Sequence, residues 1–288
     1  MLRPPPLCLT LGLPRFACAL LLAAAAHPAA AQTPGPLAEW QYSAGVPLMK
    51  LFMDEIPTWQ VSLGAAASLR PRYDGAADYR VLFGPSIDIR YRDSFFASTG
   101  EGLGWNALRG QNWRAGIAMS YNLGRREKDD SQNLSGMGRI DWAPEAKLFA
   151  EYAVSKAFPL VFRVDARRSL GGSDGWIGDI GLYLPMPGSS ETFFWFAGPN
   201  VTLADSRYMQ TWFGVSPQQA ARTGYRAFNA GAGVQSVSFG VSAVWFLDKH
   251  WFLTADTVAR QLVGDARNSP LTRKSLNTGL DFSVNYQF

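Results

Sequence analysis

Leu280 to Phe288 reads LDFSVNYQF, and this stretch decides the fold. Leu280, Phe282, Val284, Tyr286 and Phe288 are apolar, and Asp281, Ser283, Asn285 and Gln287 between them are polar. Strict alternation makes a strand with one apolar face and one wet face. Such a strand suits either the edge of an exported sandwich or the closing strand of a barrel in lipid.

The same period of two recurs upstream. Trp59, Val61, Leu63, Ala65, Ala67 and Leu69 form one apolar row, and Val81, Phe83, Ile87, Ile89 and Tyr91 another, with Ser86, Asp88 and Arg90 opposite. Trp113 to Leu123, Ala146 to Val154, Phe158 to Ala166 and Val237 to Leu247 repeat it. These runs are about ten to thirteen residues long, against roughly five or six in soluble sheets, and about ten tilted residues cross a bilayer. Trp59, Tyr91, Trp113, Tyr121, Phe158, Trp251 and Phe288 sit at strand ends, where interfacial girdles lie. The wet face carries Arg90, Arg163, Asp165 and Asp281, charges that a polar barrel interior can pair. A sandwich would show no preference for strand-end aromatics. The pattern therefore predicts an all-β, antiparallel, up-and-down transmembrane barrel.

The first 31 residues read as a signal peptide. Arg3 and Arg15 are their only charges, FACALLLAAAA (Phe16–Ala26) is an apolar run too short to span a bilayer, and a small-x-small site predicts cleavage between Ala31 and Gln32. Cys18 lies inside the apolar run, which argues against a lipoprotein. Cys8 and Cys18 would both leave with this segment, so stability must come from a core, a closed sheet or a membrane. Losing Arg3 and Arg15 as well leaves 25 of the 27 Lys and Arg against 23 acids. No nucleic-acid partner is implied. No later run is apolar for 18 residues, so no transmembrane helix is expected.

Residues 32–57 form a lead-in, periplasmic or lumenal, and 58–288 the barrel. Tight turns are expected at Arg92-Asp93, Ser155 to Ala157, Pro187 to Ser189 and Asp248-Lys249, and long loops at Pro71 to Tyr79, Gly100 to Gln111, Leu170 to Gly175, Ala204 to Ala227 and Gly264 to Ser275. Putting all tight turns on the periplasmic rim requires an extra short strand near Ser135 to Trp142. That gives twelve strands, with Gly124 to Leu134 as a periplasmic turn; ten is the alternative.

Four stretches go beyond general barrel grammar: FFASTGEGLGWN (Phe95–Asn106), ADSRYMQTWFGVSPQ (Ala204–Gln218), RPRYDGAADYRV (Arg70–Val81) and WAPEAKLFAEY (Trp142–Tyr152). Together they resemble the MipA/OmpV family of Gram-negative outer-membrane proteins, over essentially the whole chain after residue 31. The resemblance implies an outer-membrane β-barrel surrounded by outer-membrane lipid. It also implies partners, since the family's namesake is described as joining a lytic murein transglycosylase, MltA, to a penicillin-binding murein polymerase. Other members are regarded as porin-like or as surface antigens.

Chemistry is sparse. His250 is the one histidine after the signal segment, and it reads as an interfacial residue beside Trp251. Neither a nucleophile with its base nor a transition-metal site is expected, so the chain is expected to be no enzyme and to need no cofactor. Glu127, Asp129 and Asp130 lack the spacing of a calcium loop and read as a solvated face. GEGLG (Gly100–Gly104) lacks a dinucleotide or phosphate context and reads as a flexible loop. Ser216-Pro217-Gln218-Gln219 is a helix start, with Ser216 as N-cap, Pro217 at N1, Gln219 completing a capping box and Gly224 as the stop.

Asp205, Arg207, Tyr208, Trp212 and Ser216 are the candidate mouth or plug residues. Exposing Tyr208, Met209, Trp212 and Phe213 together would be costly, so the segment is expected to pack over the mouth, with Asp205 and Arg207 on polar wall residues. An extended aromatic strand end is the competing reading. Phe282, Val284, Tyr286 and Phe288 mark the C-terminal strand expected to meet the barrel assembly machinery. Two functions stay open: a scaffold for murein-remodelling enzymes, or a narrow porin-like channel.

Overall fold

The computed structural model describes residues 56–288, apart from 156 and 159. The signal segment, its cut between Ala31 and Gln32 and nearly all of the lead-in lie outside the described residues. The strands are β1 (Trp59–Pro71), β2 (Tyr79–Tyr91), β3 (Phe95–Ser98), β4 (Gly102–Arg109), β5 (Trp113–Asn122) and β6 (Ala143–Ala153). They continue as β7 (Val161–Ser169), β8 (Trp176–Pro185), β9 (Phe193–Ala204), β10 (Gly233–Phe246), β11 (Trp251–Leu262) and β12 (Leu276–Gln287). Each pairs antiparallel with its sequence neighbours, and β12 returns to β1, with Val284 opposite Ala65, to close a barrel.

Alternation sets the two faces, and they are inside-out relative to a protein in water. Phe83, Leu103, Ile117, Leu148, Ile180, Phe239, Leu280 and Phe282 are exposed on the outer wall. Asp88, Arg90, Arg114, Lys147, Glu151, Arg163, Asp165, Asp256 and Asp281 are buried within. An apolar outer band around a charged interior is stable only with hydrocarbon outside. On β12, Phe282 and Val284 face out while Asp281, Ser283 and Asn285 are buried, so the alternation of LDFSVNYQF is the alternation between lipid and lumen.

One rim carries the short turns. Arg92 and Asp93 both take positive φ (50° and 48°) to reverse the chain between β2 and β3. Asp248 accepts from the backbone N–H groups of His250 and Trp251, both at 2.7 Å, between β10 and β11. These hydrogen bonds hold its carboxyl below the usual carboxylate range. Aromatics cluster at this rim: Trp59 lies 4.8 Å from Tyr91 and Trp251 5.1 Å from Tyr286, ring centre to ring centre. Tyr286 is in turn 4.9 Å from Phe288, forming the girdle expected at a bilayer surface.

The twelfth strand is not where the turn lengths placed it. Residues 135–142 form no strand and contribute only the single bridge Arg125–Ile140. Gly124 to Leu134 belongs to the long-loop rim and is not a periplasmic turn. The missing strand is β4, inside Gly100 to Gln111, which composition had marked as a loop.

The glycines that suggested flexibility are there for close approach. Gly102 has φ +85°, and a Cβ on it would sit 2.1 Å from the Met119 carbonyl oxygen; on Gly104 it would meet the Phe96 ring at the same distance. The resulting β3–β4 hairpin is short. It pairs with only the last four residues of β2, Asp88 to Tyr91.

Candidate functional site at the barrel mouth

The long-loop rim is covered by loops that pack on one another. The largest, between β9 and β10, contains two helices, α2 (Ser206–Phe213) and α3 (Pro217–Thr223), numbered after α1 (Ser131–Leu134) in the β5–β6 loop. Asp205 caps α2 by accepting the Tyr208 N–H at 2.8 Å. Ser216 and Gln219 form the reciprocal capping box of α3, and Gly224 ends it at φ 74°.

Helix α2 aligns Tyr208, Met209, Trp212 and Phe213 by helical spacing, and this excludes the extended-strand alternative. Tyr208, Met209 and Phe213 are buried with Ile177, Ala204, Leu262 and Ala266, the last on α4 (Gly264–Asn268) after β11. Trp212 packs at the edge of this cluster and stacks on Tyr208 at 5.8 Å. Burial raises the Tyr208 phenol above its ordinary value, and the Asp74 and Glu145 charges push the same way.

The two polar candidates satisfy loops, not wall. Asp205 is engaged in its own helix cap, and Arg207 Nη1 meets Asp174 at 3.0 Å in the exposed β7–β8 loop. A one-residue step along the helix turns Arg207 away from the face that carries Tyr208.

The mouth loops lock together through Arg125, Tyr73, Tyr225 and Ser269, which the sequence did not single out, and through others that it did. Arg125 is buried; Nη1 donates to the Trp212 carbonyl at 2.7 Å, and its guanidinium lies 5.9 Å from both the Tyr73 and Trp212 rings. Burial pulls its pKa down to about 10, so it stays charged at neutral pH. Ring faces and a carbonyl thus stabilise this cation. Tyr73 donates to Asp130 and to the Leu271 carbonyl, both at 3.3 Å, and burial raises its phenol, helped by the Asp130 charge. Tyr225 reaches the Asn133 carbonyl at 3.0 Å, Gln219 the Met137 carbonyl at 2.7 Å and Ser269 the Phe213 carbonyl at 2.6 Å. Asp129 and Asp130 are buried parts of this cap, not a solvated face. Asp130 caps α1, and Asp129 takes Arg126 at 3.0 Å.

Below the cap the lumen holds a charge network. Glu101, at the tip of the β3–β4 hairpin, turns inward to Arg90 and lies 3.9 Å from Arg163. Arg90 also holds Asp88 at 3.0 Å. Glu151 takes Arg114 at 2.6 Å and Arg163 at 3.4 Å, and Asp93 takes Arg109 at 3.0 Å and Arg114 at 3.4 Å. Farther along β7, toward the mouth, Arg167 pairs with Asp165 and Asp179, and Asp179 also accepts from Asn200 and Thr202. Arg90, Arg114, Glu145 and Asp256 are each 1% exposed, so no wide water column passes them. His250 lies far from this chemistry, on the short-turn rim, where it stacks on Tyr286 at 5.3 Å and meets the Gln287 carbonyl.

An apolar outer band, a charged interior and a cap of packed loops define an outer-membrane β-barrel. Residues 63–288 match the family described as MltA-interacting protein MipA, and the chain belongs to that family. No curated protein matches it. Among solved structures it is similar to an outer membrane channel from Pseudomonas putida F1 (11% identity, 82% of this chain and 98% of that one, TM-score 0.46). It is also similar to the monoaromatic hydrocarbon channel CymD (9%, 91% and 98%, 0.43) and to the Pseudomonas putida toluene transporter TodX (10%, 90% and 96%, 0.40).

Proposed function

We propose that this protein is a non-catalytic scaffold, exported by its signal segment to the Gram-negative outer membrane and inserted there by the barrel assembly machinery through β12. Its short-turn rim, facing the periplasm, holds a lytic transglycosylase of the MltA kind and a penicillin-binding polymerase. One observation carries this reading: the lumenal charges are buried and paired beneath a packed cap, an arrangement that opposes free diffusion. Two supports accompany it. The family's name records binding to MltA, and two of the short turns are held by their own hydrogen bonds, with Asp248 bonded as above and Trp195 Nε1 tied to the Pro187 carbonyl at 3.0 Å.

The test pairs two measurements on the refolded barrel. Planar bilayers should show no steady porin-sized current, and a lytic transglycosylase should co-purify with the barrel and be released when the Asp248–His250 turn is replaced by glycines. A large steady conductance without retention of the enzyme would replace the scaffold by the channel.

A further inference from the structure

The wall is incomplete on one side. Of the thirteen residues of β2, only Asp88 to Tyr91 pair with β3, and β5 runs on past its last β4 partner, Met119, to Asn122. Above the hairpin tip, at the level of the leaflet nearer the capped mouth, no strand of the described residues lies between β2 and β5. The opening is framed. Its sill is Thr99, whose Oγ1 donates to the Pro85 carbonyl and whose own carbonyl accepts from Tyr121 Oη. Its lintel is Asp129, reached by Arg80 at 3.7 Å, Arg126 at 3.0 Å and, through its carbonyl, Arg72 at 2.8 Å. From Pro85 to Arg80 the edge of β2 that no described strand covers runs about 17 Å.

Three properties of this frame point to one kind of occupant. First, its outer jamb is greasy: Phe83 is 79% exposed and Val81 56%. Second, a hollow lies behind it. Gly84 faces inward yet is exposed, with open space where a Cβ would stand, and its β1 neighbours Ala66 and Ser68 are only half-buried. Third, the guanidinium groups of Arg72, Arg80 and Arg126 converge on Asp129, while Glu127 is turned to the Gly138 N–H and Asp130 to α1. The backbone adds a constraint. Pro85 and Ile87 direct their polar backbone groups to Thr99, so by alternation Val81 and Phe83 direct theirs into the opening. Pure hydrocarbon cannot satisfy those groups, whereas Pro85 has no N–H to satisfy.

We infer that this opening binds an acylated, phosphorylated lipid of the outer leaflet. One acyl chain enters the hollow beside Gly84, polar groups of the lipid pair with the free edge at Val81 and Phe83, and a phosphate sits at Arg72, Arg80 and Arg126. The site is independent of the scaffold reading.

Native mass spectrometry of the detergent-purified barrel with bis-phosphorylated lipid A tests it. One lipid should be retained per barrel. Dephosphorylated lipid A, the R72A/R126A double variant and Gly84→Leu should each bind at least ten-fold more weakly, and millimolar inorganic phosphate should not displace the lipid. Gly84 has open space and no positive φ, so Gly84→Leu should fold normally, as its heat-modifiable migration will report; Gly84→Ala serves if it does not. Retention unchanged in the glycine variant, full displacement by phosphate, or no adduct at all would each overturn the inference.

Discussion

Replacing Glu101 by alanine tests whether the lumen is held by its ion pairs. The Glu101 side chain is 5% exposed, and it bonds Arg90, which is 1% exposed, and faces Arg163, which is 4% exposed. Two charges about 4 Å apart attract by roughly 4 kcal/mol at an effective dielectric of about 20, and the desolvation of the carboxylate offsets part of that. Removing Glu101 takes a carboxylate from both arginines, while Arg90 keeps Asp88 and Arg163 keeps Glu151. A broken buried pair costs about 3–5 kcal/mol, and Glu101→Ala should fall in that range.

The control is Asp141→Asn. It removes the Arg139–Asp141 pair, which is 2.8 Å long but exposed on both sides, and it should cost under about 1 kcal/mol. Equilibrium urea unfolding in lipid vesicles, followed by tryptophan fluorescence, measures both. Equal midpoints for the two variants would mean that the lumenal network contributes no more than a solvated pair, and the packed-lumen reasoning would fail.

Val284→Arg, in the exposed row of β12 between Ala65 and Leu253, should cost about 2–4 kcal/mol near mid-bilayer; folding yield in vesicles checks this, and a wild-type yield would move the lipid boundary. The Tyr208 phenol is raised above its unfolded value of 10.0, so its contribution is complete below about pH 10 and is lost as the pH climbs beyond it. Trypsin should therefore begin to cut the β9–β10 loop as the pH rises past about 10, and Tyr208→Phe should blunt that onset; an identical onset in the two proteins would exclude Tyr208 as the titrating group. Gly102→Val forces a branched side chain into φ +85° and against the Met119 carbonyl, so it should lose at least about 1–3 kcal/mol and most of its heat-modifiable form.

Long strands were legible because lipid and lumen impose opposite demands on alternate residues, and nothing else in the chain needs that alternation. Helix α3 was legible for a local reason: Ser216, Pro217, Gln219 and Gly224 each answer one requirement of a helix end. Helix α2 was harder. Asp205 is an ordinary N-cap and Tyr208, Met209, Trp212 and Phe213 have helical spacing, but aromatic residues beside a strand end also suit a membrane interface. Strand β4 was concealed because GLGWNALR spends Gly102 and Gly104 on close contact with Met119 and Phe96, and those glycines resemble loop composition. Arg125 could not have been singled out at all. Its partners, Tyr73 and the Trp212 carbonyl, come from loops that only barrel closure brings together.

The short β3–β4 hairpin ties the closed lumen and the open wall to one cause. Ser98 Oγ accepts the N–H groups of Gly100 and Glu101, at 3.1 and 3.2 Å, which turns the tip sharply and aims Glu101 inward. Ser98 pairs with Asp88, two residues along the same face of β2 from Arg90, so the tip lies at the height of the arginine that it must meet. A hairpin as long as β2 would carry Glu101 up to the mouth, close the wall and take Glu101 away from Arg90. Lengthening the hairpin by two alternating residues on each strand should therefore weaken the lumen and seal the lipid opening together. If unfolding and lipid retention respond independently, the hairpin does not couple them.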